Sequence, residues 1–144
     1  MNSVIQQSLQ QISVALNSEL NIEDDHAWLV PAQAQELVLT LLWPDEERDD
    51  LTLSLALGTV NEATPPQLAI DMLSANLALA VHRGPRLSYS PNTHLLILLD
   101  TLPCHPEEIV ALGQAVNNFV TFGAEIREQF CQKGYSLIID ELGV

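Results

Sequence analysis

The spacing of apolar residues changes along the chain, and each spacing predicts one type of secondary structure. Between residues 4 and 20 apolar side chains recur every three or four positions, which predicts an amphipathic first helix. Short apolar runs then predict strands at 27–30 and 36–43, and strict alternation predicts a third strand at 50–60. The charged segment 44–50 joins the last two strands, so they are expected to form an antiparallel hairpin.

The second half of the chain predicts a helix and a second hairpin. Thr64 as N-cap and Pro65 at the first helical position start the helix, and Gly84 follows its end. This helix is apolar on more than one side, so it is expected to need two packing partners. The segments 86–90 and 94–102 lie on either side of a tight turn and are predicted to form two further antiparallel strands.

A long helix and an apolar tail complete the chain. The helix begins at Pro106, with His105 at the N-cap position, and ends near Gly134. The tail 135–144 is apolar and forms either a small extra strand or a segment docked on the body. The order α-β-β-β-α-β-β-α predicts one α+β domain spanning 1–144, with an antiparallel, twisted sheet of about five strands and three helices.

Composition adds strong acidity to this picture. The 144 residues include 19 Asp and Glu against 5 Lys and Arg, a net charge of −14, which argues against partners such as nucleic acid or anionic lipid. Nevertheless, 47% of the residues are hydrophobic and 17% are charged, below the ~25% charged residues usual in soluble domains. A chain that is both apolar and acidic is expected to have apolar surface covered by a partner.

The cysteines and the hydropathy profile predict a soluble, cytoplasmic protein. The start of the chain lacks the basic and apolar regions of a secretion signal, so Cys104 and Cys131 are expected to be reduced thiols. The apolar run Leu95 to Leu99 is far shorter than the ~18–20 residues that span a bilayer. We therefore expect no membrane insertion.

The residue types that carry out chemistry form no convincing site. His26 follows Asp24 and Asp25, but adjacent residues of a turn rarely converge on one ion. Cys104 and His105 are sequence neighbours, which seldom face each other as nucleophile and base, and an N-cap role explains His105 equally well. The six glycines never cluster into a phosphate loop, so the sequence predicts no cofactor, no metal and no enzyme.

Several local motifs carry a resemblance beyond the order of elements. The most telling is Leu73-x-x-Asn76-Leu77, within the segment 66–77. Others are Gly84, the hairpin of 87–90 and 95–98, the stop at Leu102-Pro103 and the helix end at 126–130. Together with the element order over roughly residues 1–133, these motifs resemble the class I type III secretion chaperones, the Tir chaperone family.

The resemblance implies a small, acidic homodimer in the cytoplasm of a Gram-negative bacterium, without catalytic activity. Such a chaperone binds the N-terminal segment of a secreted effector in extended form and delivers it to the secretion apparatus, with the secretion ATPase or sorting components as further partners. Two segments depart from the family pattern. Residues 78–83 are more apolar than the glycine-rich link usual there, and the tail 135–144 is apolar where many relatives end in polar residues.

Apolar residues beyond the needs of one core face are the candidate binding residues, because an extended peptide requires apolar grooves and free strand edges. For the effector segment these are Trp28, Val30, Val38, Leu42 and Trp43. For the dimer contact, by resemblance and because the middle helix has two apolar sides, they are Leu68, Met72, Leu73, Leu77 and Tyr89. The alternative for the first set is packing under the first helix, and for the second set it is ordinary core packing.

Two other functions compete with the effector chaperone. One is a regulatory partner that sequesters a secretion or transcription component, which the sequence alone does not separate from the chaperone. The other is a small-ligand-binding protein or an enzyme, which would require a pocket where polar groups converge.

Overall fold

The computed structural model describes residues 3–43, 48–60 and 65–139. The predicted N-cap Thr64 and much of the predicted turn at 44–50 lie outside the described residues. The described residues form three α-helices, a short 3₁₀ turn and seven strands. In chain order these are α1 (Ser3–Ala15), β1 (Asn21–Ile22), β2 (His26–Leu29), β3 (Val38–Leu42), β4 (Asp50–Val60), α2 (Pro65–Val81), β5 (Arg86–Ser90), β6 (Leu95–Pro103), the 3₁₀ turn (Pro106–Glu108), α3 (Ile109–Gln132) and β7 (Leu137–Ile138).

Two helix ends differ from the boundaries that the sequence predicts. The first helix ends at Ala15, earlier than the apolar spacing indicates, because Asn17 adopts a left-handed conformation with φ of +48°. The side chain of His105 makes no capping hydrogen bond, and a 3₁₀ turn separates it from the first residue of α3, Ile109. The spacing of apolar residues does not predict these helix ends, because local backbone geometry determines where a helix begins and stops.

The strands form one antiparallel sheet in the order β1-β2-β3-β4-β6-β5, with β7 paired to β4 beyond the end of β3. Both predicted hairpins form, with Leu39 opposite Leu55 in one and Leu87 opposite Leu98 in the other. The α+β class and the antiparallel sheet with three helices are therefore confirmed. Two strands of two residues each, β1 and β7, extend the sheet beyond the predicted five strands.

One face of the sheet packs against α1 and α3 and forms the core. Leucines at alternate positions of β3, β4 and β6 are fully buried on this face, and the apolar stripe of α1 joins the same cluster. Gly123 of α3 lies directly against Leu55 and Leu98, so its missing side chain lets the helix approach the sheet. On the opposite face, which we call the outer sheet face, every described strand residue is half-buried or exposed.

Arg127 of α3 fixes the C-terminal strand to the sheet. Its Nε donates a hydrogen bond to the carbonyl oxygen of Leu57 at 2.9 Å, and its Nη2 donates to that of Leu137 at 3.0 Å. Leu57 lies between the part of β4 that pairs with β3 and the part that pairs with β7. The guanidinium therefore satisfies carbonyl groups at the gap between two strands. The tail thus contains a small extra strand, one of the two forms that the sequence left open.

Replacing Arg127 should weaken the fold measurably. Arg127→Ala removes two hydrogen bonds from a charged donor to half-buried carbonyls, so we expect the free energy of unfolding to fall by about 2–3 kcal/mol. Urea unfolding followed by circular dichroism measures this difference. The control is Arg86→Ala, an exposed arginine on β5, for which we expect a change within about 0.5 kcal/mol. Equal losses in the two variants would contradict a structural role for the Arg127 hydrogen bonds.

Candidate protein-binding surfaces

Helix α2 has an inner face that packs on the body of the chain. Leu68 and Leu79 are buried in the core, at 4% and 8% exposure, and Met72 and Ala75 pack against it. These positions recur every three or four residues, so they form one helical stripe. This stripe accounts for one of the two apolar sides that the sequence indicates.

Asn76 attaches α2 to the edge of the sheet. Its side-chain amide donates to the carbonyl oxygen of Leu87 at 3.1 Å and accepts from the Leu87 amide at 2.7 Å. One side chain thus pairs with both backbone groups of an edge-strand residue, as a neighbouring strand would. Because α2 covers β5 in this way, that edge is protected from pairing with other chains. The asparagine of the motif Leu73-x-x-Asn76-Leu77 therefore has a structural role, because it attaches α2 to β5.

The outer face of α2 carries an apolar stripe that the described chain does not cover. Ile70, Leu73, Leu77 and Val81 follow one another at spacings of three and four residues, and their side chains are between 56% and 72% exposed. We call these four residues the α2 stripe. Large apolar side chains that are exposed together on one helix face indicate an interaction surface.

The residues predicted for the dimer contact divide between these two faces. Leu73 and Leu77 belong to the α2 stripe, whereas Leu68 is buried in the chain's own core and Met72 packs against it. Tyr89 of β5 is half-buried against the same core, and its hydroxyl lies 2.6 Å from Nδ1 of His94. Ile70 and Val81 complete the stripe, although the sequence analysis did not select them.

The outer sheet face brings together three residues predicted for the effector segment. Val38 and Leu42 lie on this face of β3, and Trp28 lies on it in β2, where it is 37% exposed and opposite Thr40. Half-buried Val30 follows the end of β2. Trp43 differs from the others, because it is 3% exposed and belongs to the core, in the same alternation as Leu39 and Leu41.

Cross-strand pairing extends this apolar surface across the sheet. Val38 lies opposite Ala56 of β4, and Ala56 lies opposite Ile97 of β6. A second row runs from Trp28 through Thr40 and Ser54 to Leu99. In the described strands, the one carboxylate at an outer-face position is Asp50, the first residue of β4. The face is therefore close to neutral in a chain with a net charge of −14.

The titratable groups that the sequence singled out do not assemble into a catalytic site. Nδ1 of His26 lies 2.8 Å from Oδ1 of Asp25 on an exposed turn, and this hydrogen bond lowers the pKa of Asp25. Cys104 is buried, and burial raises the pKa of its thiol. Within 3–43, 48–60 and 65–139 no three His, Cys, Asp or Glu residues are placed to hold a metal ion. None of the described helices is long and apolar enough to cross a bilayer.

Comparison with known proteins assigns the family. The model of the Tir chaperone protein (CesT) family matches residues 6–122, which is most of the chain. The chain belongs to this family. The family resemblance predicted from the sequence is therefore confirmed, and with it the prediction that the protein is a chaperone of type III secretion and not an enzyme. Among curated proteins, no sequence matches the chain.

A solved structure supports the fold of this Tir chaperone family member. A chain in the structure of the HopA1-SchA chaperone-effector complex matches with a TM-score of 0.65 and 18% sequence identity. The match covers 87% of the present chain and 94% of the other. At this identity the similarity establishes the common fold and does not identify the binding residues of this chain.

Proposed function

We propose that this Tir chaperone family member works as a cytoplasmic homodimer that holds the N-terminal segment of a secreted effector in extended form. The observation that carries the proposal is the outer sheet face, an apolar and nearly neutral surface that no described helix covers. Trp28, Val38 and Leu42 provide its contacts on β2 and β3. An extended segment suits such a surface, because its alternate side chains reach the apolar positions while its backbone stays available for hydrogen bonds.

The edges of the sheet favour the same arrangement. At one end of the sheet α2 covers β5, and Asn76 occupies the backbone groups of Leu87. At the other end the terminal strand β1 has two residues, Asn21 and Ile22, and both are exposed. A client segment that continues from the outer sheet face therefore finds an accessible strand edge beside β2. Backbone hydrogen bonds to such an edge contribute affinity with little dependence on the client's sequence.

The α2 stripe supports the homodimer. A second copy of this chain presents the same four aliphatic side chains, so two stripes related by a twofold axis can bury each other. Delivery of the bound effector to the secretion ATPase or its sorting components is the expected next step for such a complex.

Affinity capture tests the proposal. The tagged full chain is expressed in the source bacterium, captured, and analysed by mass spectrometry and light scattering. We expect one or a few secreted effectors, bound through their N-terminal segments to a dimer of twice the 15.8 kDa chain mass. Recovery of a regulator without any effector would favour the sequestering function instead. A free chain that stays monomeric at tens of micromolar would contradict the homodimer.

A further inference from the structure

The chain turns back on itself after α3 and returns to helix α2. Gly134 has a φ of +101°, which places it in the left-handed region and ends the helix, and the amide of Tyr135 donates to the carbonyl oxygen of Phe130. The rings of Tyr135 and Phe130 lie 5.6 Å apart, so the tyrosine is held against the end of α3. Its hydroxyl then points to α2.

Three side chains contact the carboxylate of Asp71 on α2. The hydroxyl of Tyr135 donates to Oδ2 of Asp71 at 2.6 Å, and Nζ of Lys133 lies 3.6 Å from Oδ1. Nε2 of Gln67, one turn earlier on α2, donates to the same Oδ1 at 3.3 Å. The Asp71 side chain is 14% exposed, whereas that of Lys133 is 50% exposed, so the ion pair is open to water on the lysine side. We call Asp71, Lys133 and Tyr135 the α2 clamp.

The protonation states that the clamp requires hold at neutral pH. The hydrogen bond from Tyr135 and the charge of Lys133 lower the pKa of Asp71, so its carboxylate is ionised. Burial, followed by the hydrogen bond and the charge of Asp71, raises the pKa of Tyr135 to about 12, so the phenol keeps its proton. Within the clamp, the hydrogen bond from Tyr135 to Asp71 is therefore short and has a charged acceptor, and such bonds are stronger than those between neutral groups.

The segment that carries the clamp is itself fixed at both ends. Its start continues α3 through the turn at Gly134, and its end forms β7, which pairs with Thr59 and Val60 of β4 and is held by Arg127. Asp71 lies on the part of α2 that precedes Leu73 and Leu77. A rigid C-terminal segment thus contacts α2 directly beside its exposed stripe.

Resting on the proposed homodimer, we propose that residues 133–139 act as a brace that fixes the orientation of α2 and thereby sets how strongly two copies associate. The family match ends at residue 122, so the brace lies in a part of the chain that the family model does not describe. Asn76 holds the middle of α2 to the sheet, and the α2 clamp holds its first half to the C-terminal segment. These two polar attachments add to the buried contacts of Leu68 and Leu79, so that loss of the clamp loosens the orientation of α2 without detaching it from the core.

The test uses Tyr135→Phe, which removes one hydroxyl and keeps the ring on Phe130. The control is Asp25→Asn, which removes an exposed carboxylate hydrogen bond to His26 on the turn between β1 and β2. Two quantities are measured for each variant. Dilution in analytical ultracentrifugation gives the dimer dissociation constant of the full chain. Amide hydrogen exchange of residues 66–81 is measured in a Leu73→Glu/Leu77→Glu background, so that loss of the partner does not affect α2.

The proposal predicts faster exchange across α2 with Tyr135→Phe, unchanged exchange in α1, and a dissociation constant raised by about five-fold, the equivalent of one hydrogen bond. Asp25→Asn should change neither quantity. Unchanged exchange in α2 would overturn the brace, and faster exchange with an unchanged dissociation constant would overturn its effect on association. If the unmodified chain is itself monomeric, the homodimer fails before any variant is compared, and the brace loses its proposed role.

Discussion

Replacing Leu73 and Leu77 by glutamate should convert the proposed homodimer into a monomer. Both side chains are about 70% exposed at the centre of the α2 stripe, so the variant loses no contact in the described core. In the dimer, each glutamate would place an unpaired carboxylate against the partner's aliphatic side chains, at a high desolvation cost. By symmetry each change occurs twice in the interface. We expect the dissociation constant to rise by at least about 1000-fold, the equivalent of roughly 4 kcal/mol.

Light scattering after size-exclusion chromatography measures this change. Val110→Glu is the matched control, because Val110 of α3 is as exposed as the stripe residues but lies outside α2. The control should remain dimeric, and both variants should keep the circular dichroism and melting behaviour of a folded chain. A Leu73→Glu/Leu77→Glu chain that still runs as a dimer would show that α2 is not the contact.

The sequence identifies α2 as a two-sided helix but does not separate its sides. Leu68 and Leu73 have the same residue type, and each lies in a run of apolar residues with helical spacing. Their burial differs, at 4% against 69%, because Leu68 faces the core and Leu73 faces away from it. Only the position of the helix relative to β5 decides this, and contacts distant in sequence determine that position. A pattern along the chain therefore predicts the helix and its excess of apolar surface, but not which leucines form the contact.

The alternation of residues along β3 separates the predicted effector-binding residues into two groups on opposite faces of the strand. Leu39, Leu41 and Trp43 share one side of an alternating segment, and Val38 and Leu42 share the other. Selecting Trp43 together with Val38 combined residues from both sides. The structure separates them as the alternation indicates, with Trp43 in the core and Val38 on the outer sheet face. Large aromatic side chains next to a core strand are more often buried than exposed.

Contacts that join distant residues account for what the sequence analysis missed. The pairing of Asn76 with Leu87, the hydrogen bonds of Arg127 and the clamp between Asp71 and Tyr135 each depend on the final positions of two or three elements. Neither helical spacing nor strand alternation encodes such pairs. The α+β class and both hairpins followed from local patterns, because each hairpin joins strands that are adjacent in sequence.

The distribution of charge fits the proposed binding of an apolar client by an acidic chain. Apart from Asp50, the described carboxylates lie away from the outer sheet face, for example in the exposed segments 23–25 and 107–108. The interior of the outer sheet face has threonine, serine and aliphatic residues instead. The net charge of −14 therefore keeps separate molecules apart in solution without adding a desolvation cost at the proposed binding surface. This arrangement predicts that a single carboxylate introduced on the outer sheet face lowers the affinity for the client more than one introduced elsewhere on the surface.

Val38→Asp is the sharpest test of the outer sheet face. Val38 lies opposite Ala56, which lies opposite Ile97, so the new carboxylate would stand at the β3 end of an apolar row, and β3, β4 and β6 contain no basic residue. Binding the client would bury this charge. We expect the affinity for the captured effector segment to fall by about 100-fold, equivalent to roughly 3 kcal/mol, with the dimer unchanged. Isothermal titration with that segment measures the loss.

Val14→Asp provides the matched control, because Val14 is an exposed valine on α1, away from the sheet, and the change in charge is the same. We expect it to bind the effector segment as the unmodified chain does. Trp28→Ala is a second variant on the face that adds no charge, and its smaller loss should come from missing apolar contact alone. If Val38→Asp and Trp28→Ala both bind with unchanged affinity while the chain remains folded, the client lies elsewhere and the outer sheet face is not its binding surface.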